Sequence, residues 1–519
     1  MVTTTVTPRA ARRPRARRPS VVGVLATVVA MVTVLPLVVI AVDTLRTPWA
    51  QTSALVFRPR TLELLANTAR LVGGSGLLCL LLGVGAAWLV TRTDLPLRRV
   101  VHVAMVAPLA VPAFVNAYAW SSLVPGADGY SGALVVVTLS YFPLVYVPVA
   151  AALRGLDPAQ AQAAASLGLT PGAVFRRVTL PQLRPAVLGG SLLVALHLVA
   201  EFGALALVRF PTLSTAVYDQ FRSSFSGPAS NAVASVLVLV CLLLLTGELG
   251  LQGRAAYASV GSGAVRPPAR TPLRGWRVPA LLTLALLALL AVVLPVASVV
   301  RWWLDGTSAT AEVPALLATT ASTLGLGVVA AAAVTVLALP VAWLSVRRRG
   351  LLATLVERTT YLGTGLPGIV VALALVTVGL RVVPALYQSA VMLVAAYAVL
   401  FLPRAVVSLR TGLLQLPTGV EEAAAALGLG PVSVLTRVVV PVLAPALGAG
   451  AALVFLGAGT ELTATLLLSP LGTQTLATQF WSHSSAVEYG AAAPYAALLI
   501  VVSAPAAWLV SRGEGRVSG

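Results

Sequence analysis

The segment QAAASLGLTPGAVFRRVTLP, residues 162–181, decides how this chain is interpreted, because it occurs twice. The second copy reads EAAAALGLGPVSVLTRVVVP, residues 422–441. The two copies keep one register throughout, so that Gly168 and Gly428 occupy the same position in each. A polar loop of fixed internal spacing, repeated inside an apolar chain, indicates a membrane protein with two equivalent docking elements for a partner.

The composition of the chain favours lipid as its solvent. Of 519 residues, 58% are hydrophobic and 10% are charged, whereas soluble domains carry about 25% charged residues. A bilayer core requires roughly 20 apolar residues per helix, and we predict an all-α integral membrane protein with about twelve such helices. The predicted spans are 21–42, 68–90, 100–124, 133–153, 186–208, 231–250, 279–300, 318–345, 360–380, 387–409, 445–468 and 488–510.

The charge balance predicts the orientation of these spans. The net charge is +19 and the chain has no lysine, so every basic side chain other than histidine is an arginine. The arginines cluster in short loops between apolar spans, which fits the positive-inside rule better than nucleic-acid binding. We therefore expect both termini and both repeated loops on the cytoplasmic side of the membrane, with no nucleic-acid partner. The two cysteines, Cys79 and Cys241, lie in apolar spans and provide neither a disulfide framework nor a metal cluster.

The repeat extends beyond the loop and divides the chain into two halves. Matching residues are Trp88 and Trp343, Pro112 and Pro367, and Glu201 and Glu461. Because each half contributes six spans, the halves have one topology and form parallel repeats. The predicted organisation is a basic cytoplasmic tail at 1–20, a first repeat at 21–250, a cytoplasmic linker at 251–278, a second repeat at 279–511 and a tail at 512–519. The apolar stretch 21–42 is too long for a signal peptide and is expected to remain as the first span.

The repeated loop resembles the signature Glu-Ala-Ala-x-x-x-Gly-(nine)-Ile-x-Leu-Pro of permease subunits of binding-protein-dependent ABC importers. Gln162 replaces the glutamate in the first copy. The segments around Glu201 and Glu461 resemble those of fused double permeases for ferric iron, although Thr463 stands where a proline is usual. The resemblance implies the transmembrane-domain fold of type I ABC importers. Permeases for thiamine, polyamines and phosphonates share this architecture and stay open as alternatives.

In this family, the repeated loop is implied to contain a short coupling helix that docks on a separate ATPase subunit. Two loops imply two ATPase copies, and an extracytoplasmic binding protein would deliver the substrate. An ordinary connecting loop is the alternative interpretation. The residues implied in coupling are Gln162, Ala163, Ala164, Gly168 and Pro181 in the first copy, and Glu422, Ala423, Ala424, Gly428 and Pro441 in the second.

Three ionisable residues within the spans are candidates for the substrate pathway. A carboxylate inside a membrane is costly unless it is paired or hydrated, so Glu201 and Glu461 are functional candidates. His197 lies four residues before Glu201, on the same helical face. Structural hydrogen bonds between helices are the alternative, and no metal site is predicted from these residues.

The chain lacks a phosphate-binding loop with its lysine, because it contains no lysine at all. We therefore expect no cofactor on this chain, with ATP and Mg bound by the partner ATPase. The chain itself is expected not to be an enzyme. An ion-coupled secondary transporter and a membrane-embedded enzyme are the rival classes, but few charges lie within the spans to serve either.

Overall fold

The computed structural model describes residues 21–156, 158–224, 227–252, 270–305, 313–348 and 350–513. These residues form helices and turns, and within them the extended backbone is limited to one isolated bridge between Thr93 and Thr271. The prediction of an all-α membrane protein is confirmed. The predicted tail at 1–20, most of the predicted linker (253–269) and residues 514–519 lie outside the described residues.

Thirteen helices lie between Val21 and Gln252. They are α1 (Val21–Arg46), α2 (Trp49–Val56), α3 (Pro59–Arg92), α4 (Arg98–Val106), α5 (Ala113–Leu123), α6 (Gly129–Tyr141), α7 (Pro143–Gly155), α8 (Pro158–Ser166), α9 (Pro171–Val174), α10 (Leu180–Ala200), α11 (Gly203–Leu207), α12 (Leu213–Ser224) and α13 (Gly227–Gln252). Twelve more follow from Arg277. They are α14 (Arg277–Ala288), α15 (Leu294–Leu304), α16 (Val313–Arg347), α17 (Leu351–Leu362), α18 (Gly368–Arg381), α19 (Ala390–Gln415), α20 (Thr418–Ala426), α21 (Pro431–Val434), α22 (Val440–Thr460), α23 (Thr463–Leu468), α24 (Leu476–Ser485) and α25 (Tyr489–Gly513).

Within the described ranges, nine helices are long and apolar enough to cross a membrane, and two bent pairs raise the number to eleven. A shorter apolar helix, Tyr489–Pro505, stands at the twelfth predicted span. The bent pairs differ from the straight spans expected at 100–124 and 360–380. There the chain turns by 92° and by 108° between two helices.

The two bends lie at equivalent prolines. Pro112 precedes α5 and Pro367 precedes α18, each with an extended backbone. A proline has no N–H and disfavours helical geometry in the residue before it, so each span ends there and restarts in a new direction. The spans predicted at 186–208 and 445–468 are also interrupted, because α10 ends at Ala200 and α22 ends at Thr460.

The first helix of each half packs on the other half. α1 contacts α16, α17 and α18, and Ala26, Val29 and Ala30 belong to the buried core of the second half. Conversely, Leu284 and Ala291, from the first segment of the second half, lie in the buried core of the first half. Each half therefore completes its apolar core with a helix from the other, and the two repeats hold each other together.

A third apolar cluster joins the halves through aromatic side chains. The ring of Phe114 lies 5.4 Å from that of Phe480, and the ring of Phe202 lies 5.0 Å from that of Trp481. Gly203 allows this close approach, because a Cβ there would stand 2.9 Å from the Leu462 side chain. The segments that follow the breaks after α10 and α22 thus lie next to each other, beside the apolar contact between the halves.

Candidate functional site

The two repeated loops have nearly identical backbones. After α8, Gly168 has φ +85° and its N–H donates to Ala165 O at 3.0 Å. After α20, Gly428 has φ +86° and its N–H donates to Ala425 O at 3.0 Å. The next N–H in each loop donates to Ala164 O or Ala424 O, at 3.2 Å in both cases. This pattern is a glycine-capped helix end, and the left-handed φ explains why both copies carry glycine here.

The outer face of each loop is open. Leu167 is 84% exposed and Leu427 is 85% exposed, at the tips of the two loops. Ala164 and Ala424 are the buried members of the two short helices. The other implied coupling residues are exposed, namely Gln162, Ala163, Gly168, Pro181, Glu422, Ala423, Gly428 and Pro441. A fully exposed leucine at the same position in both loops is a small apolar surface that suits a partner.

Both loops rejoin the membrane helices through a widened turn. Phe175–Thr179 and Leu435–Val439 adopt π-helical geometry before α10 and α22. Single widened turns of this kind occur frequently at functional sites. Pro181 and Pro441 follow directly and donate no backbone hydrogen bond, which locally weakens the helical ladder. The two loops are therefore attached to their membrane helices in the same way.

An ion pair anchors the second loop. The Arg347 guanidinium donates to Glu421 Oε1 from Nη2 at 2.6 Å and from Nε at 3.0 Å. It also donates to Leu416 O at 2.9 Å, and it lies 5.7 Å from the Trp343 ring. Because only 12% of the Arg347 side chain and 17% of the Glu421 side chain are exposed, solvent screens this pair little.

The first loop lacks that anchor. Arg92 stands four residues after Trp88, as Arg347 does after Trp343, but Ala161 occupies the position equivalent to Glu421. Arg92 Nη2 donates to Leu153 O at 2.6 Å, while its buried Nε has no hydrogen-bond partner among the described residues. Arg92 therefore bonds a carbonyl of α7 instead of a carboxylate of the loop, and the first loop contacts α3 through the Phe175 ring, 4.7 Å from that of Trp88. This difference was not predicted, although Ala161 and Glu421 are visible in the aligned repeats.

Glu201 caps the short helix that follows the first break. Its Oε1 accepts from the Ala204 N–H at 2.9 Å, and its Oε2 accepts a hydrogen bond from the Tyr141 hydroxyl. Ser214 Oγ donates to the main-chain oxygen of Glu201 at 2.5 Å. A carboxylate at a helix N-terminus satisfies free N–H groups and complements the helix dipole.

Glu461 does the same for the second half. Its Oε1 accepts from the Ala464 N–H and its Oε2 from the Thr465 N–H, both at 3.0 Å. Tyr397 reaches this carboxylate through Thr465, whose Oγ1 lies 2.8 Å from the Tyr397 hydroxyl. These contacts support the structural alternative for both glutamates, and their role in the pathway stays a prediction.

His197 lies close to the first of these glutamates. Its ring is 5.5 Å from that of Tyr141, the residue that bonds Glu201. Its Nδ1 lies 2.8 Å from Leu193 O, and this nitrogen therefore carries the hydrogen, because a carbonyl can only accept. Across the part of the chain that the structure describes, no group of three or more His, Cys, Asp or Glu side chains stands ready to hold a metal ion.

The chain belongs to the family described as the binding-protein-dependent transport system inner membrane component. The match covers residues 80–252 and 334–519, so that the family occurs once in each half. Both matched segments contain the repeated loop, the break and the capping glutamate described above. The chain is therefore a multi-pass membrane permease subunit of an ABC importer, and a transport component.

Among known proteins, the chain is similar to the Fe(3+)-transport system permease protein FbpB 2 of Haemophilus influenzae. The two are 33% identical over 461 residues, which is 88% of this chain and 91% of that protein. The sulfate transport system permease protein CysT of Salmonella typhimurium is 28% identical over 45% of this chain and 91% of its own length. The molybdenum transport system permease protein ModB of Mycobacterium tuberculosis is 31% identical over 41% of this chain and 87% of its own length.

Proposed function

We propose that this chain forms the membrane pathway of an ATP-driven importer that carries ferric iron into the bacterial cytoplasm. The relative named for Fe(3+) transport supports this substrate, because its similarity runs through both halves of the chain. The relatives named for sulfate and molybdenum correspond to less than half of it. A fused double permease is thus the shared architecture of this chain and the iron relative.

The observation that carries the mechanism is the pair of loops with superposable caps and exposed tips at Leu167 and Leu427. We assign these loops to the cytoplasmic face of the inner membrane, with both termini on the same face, because the arginines concentrate there. Each loop docks on one copy of a separate ATPase, which binds ATP and Mg. An extracytoplasmic binding protein delivers the substrate to the opposite face.

Coupling then follows from the geometry of the loops. ATP binding brings the two ATPase copies together, and each copy moves the loop that it holds. Because α8 and α20 continue through short turns into α10 and α22, this motion reaches the breaks at Glu201 and Glu461. The apolar contact between the halves, which Phe202 and Trp481 help to form, opens toward the binding protein.

The test is uptake of labelled ferric iron by cells deleted for this gene and complemented with variants. Wild type should restore uptake, and the double variant Gly168→Val, Gly428→Val should not, because a β-branched residue strongly disfavours the left-handed backbone of both caps. The matched control is Gly172→Val with Gly430→Val, since these glycines lie in the same loops, have open space around them and lack positive φ.

Two results would overturn parts of the proposal. Normal iron uptake in the deleted cells, in the absence of a second iron importer, would overturn the substrate. The same cells would then be assayed with thiamine, polyamines, phosphonates, sulfate and molybdate. Wild-type uptake by the cap variant at normal protein level would overturn the docking role of the loops.

A further inference from the structure

Arg404 is a cation inside the membrane bundle. It lies near the middle of α19, six residues and about 9 Å of helical rise from Arg410. Arg410 pairs with Glu357, whereas Arg404 forms no salt bridge with any other residue that the structure describes. A charged side chain within a membrane span is costly, so it marks a functional site by default.

The guanidinium of Arg404 lies against α22. Its Nη1 stands 2.8 Å from where a Cβ of Gly457 would lie on α22, so the missing side chain at Gly457 makes room for it. Its Cζ lies 4.9 Å from the centroid of the Phe401 ring. Arg404 thus occupies the space beside α22 that Gly457 leaves free.

The repeat shows that this cation is not part of the shared scaffold. Gly457 lies four residues before Glu461, as His197 lies four residues before Glu201. Arg404 therefore occupies the layer of His197, one helical turn from the capping carboxylates. In the first half, the residue that follows the equivalent proline, Pro143, is Leu144, which is half-buried. Among the described residues, this layer thus has one guanidinium without a salt bridge, and it comes from the second half alone.

The nearby carboxylates are already engaged. Both oxygens of Glu461 accept hydrogen bonds from the helix that it caps, and both oxygens of Glu201 accept bonds from Ala204 and Tyr141. Arg404 is an exposed residue despite its place within α19, so it is open to a ligand. A guanidinium offers five donors in a fixed fork and binds oxyanions in two-point geometry.

We propose that Arg404 binds an anionic oxygen ligand of the cargo, so that iron passes as a ferric ion with a bound oxyanion such as phosphate. A bare ferric ion would be repelled by this guanidinium, whereas an oxyanion on the metal would be attracted. This inference rests on the proposed function for its iron and on Arg404 for its anion. A free oxyanion shares the recognition chemistry, and the experiment separates the two sources.

The experiment uses membrane vesicles that contain the complete transporter, supplied with binding protein and with labelled ferric iron and labelled phosphate. The wild type should accumulate both labels in a fixed ratio. Arg404→Gln should lower the initial rate about tenfold, the usual effect of losing one charge-assisted hydrogen bond. Arg404→Lys, which keeps the charge, should retain more of the rate than Arg404→Gln. Arg358→Gln removes an exposed arginine from α17 and should leave the rate unchanged.

The readouts distinguish the possible failures. An equal iron rate in the wild type and Arg404→Gln would overturn the anion site and leave the iron function standing. Loss of ATP hydrolysis in Arg404→Gln and Arg404→Lys alike would identify a structural arginine and also overturn the site. Accumulation of labelled sulfate or phosphate without iron, dependent on Arg404, would support the anion site and overturn the proposed iron function.

Discussion

The two repeated loops have the same backbone conformation, but different side-chain contacts attach them to the membrane helices. The shared part is the surface that we assign to the ATPase, and the part that differs is the attachment. The caps at Gly168 and Gly428 agree within 1° in φ, and the tip leucines are equally exposed. Arg347 pairs with Glu421 in the second loop, whereas Ala161 stands at the equivalent position of the first. The exposed leucine tip is thus present in both loops, whereas the arginine–glutamate ion pair is present in the second loop alone among the described residues.

Because their attachments differ, we expect the two loops to transmit force to the membrane helices differently. The second loop is tied to the end of α16 by a shielded ion pair, so a force on its tip is passed directly to the membrane helices. In the first half, Arg92 bonds the Leu153 carbonyl of α7 instead, and no carboxylate of the first loop is available to it. We expect the first loop to move more easily relative to its membrane helices than the second loop does.

Loss of both loop tips should have the largest effect. Leu167→Asp with Leu427→Asp places charges on two surfaces that we assign to the ATPase interface. A carboxylate buried without a partner in an interface is costly, and about 2 kcal/mol at each tip would be roughly 30-fold in affinity. The double variant should lose its ATPase on purification while remaining at normal level in the membrane. Leu471→Asp, at an equally exposed leucine outside both loops, is the control, and retention of the ATPase by the double variant would refute this surface.

Removal of the anchor should destabilise the second loop. Glu421→Ala recreates the first-loop situation but leaves Arg347 shielded and without its carboxylate, which costs about 3 kcal/mol. We expect a lower temperature of thermal unfolding for the purified protein in detergent. Glu422→Ala changes the neighbouring exposed glutamate and should shift unfolding little. Equal effects of the two substitutions would mean that the ion pair contributes nothing.

Introduction of an anchor should stabilise the first loop. Ala161→Glu places a carboxylate where the second loop has Glu421, within reach of the unpartnered Arg92 Nε. The expected gain is about 1 kcal/mol in the free energy of unfolding. In an Arg92→Gln background the gain should disappear, and a double-mutant cycle measures this coupling. A gain that persists without Arg92 would contradict the assignment.

The smallest expected effect concerns Asp94, which lies just after α3 in the first half. Asp94 accepts a hydrogen bond from Arg277 and another from the Leu273 N–H at 2.8 Å, and these contacts hold the pKa of its carboxyl below the ordinary value. Because the pKa of Asp94 is lowered in the folded state, its ionised carboxyl stabilises the fold fully above the unfolded-state pKa of about 3.9. This stabilisation is lost as the pH falls through the folded-state pKa. Asp94→Asn should therefore show a weaker loss of stability between pH 5 and about pH 3. Identical pH profiles of stability for the wild type and Asp94→Asn would show that these contacts do not stabilise the folded state.

The sequence predicted the parts of the site that depend on local spacing. The repeat register aligned Gly168 with Gly428, and the structure gives both of them the left-handed backbone that favours glycine. Composition predicted about twelve spans, and the described residues show nine to eleven, with a shorter apolar helix at the twelfth. The prolines Pro112 and Pro367 were recognised as a matched pair, but a proline in an apolar run does not say whether the helix kinks or turns by 92°.

Other features depend on contacts between distant segments, which periodicity does not report. The packing of α1 on the second half and the capping by Glu201 and Glu461 arise from tertiary structure. The contrast between Ala161 and Glu421 was visible in the aligned copies, yet its meaning required Arg92 and Arg347 to be placed beneath them. Arg404 was likewise visible within a predicted span, and only its position beside Gly457 gives it a role.

The most direct test of the two-loop account is the number of ATPase subunits bound to one copy of this chain, measured by native mass spectrometry of the solubilised complex. The account predicts two ATPase subunits for the wild type, and one for each of the single variants Leu167→Asp and Leu427→Asp. A single ATPase on the wild-type chain, or none, would contradict two equivalent docking loops.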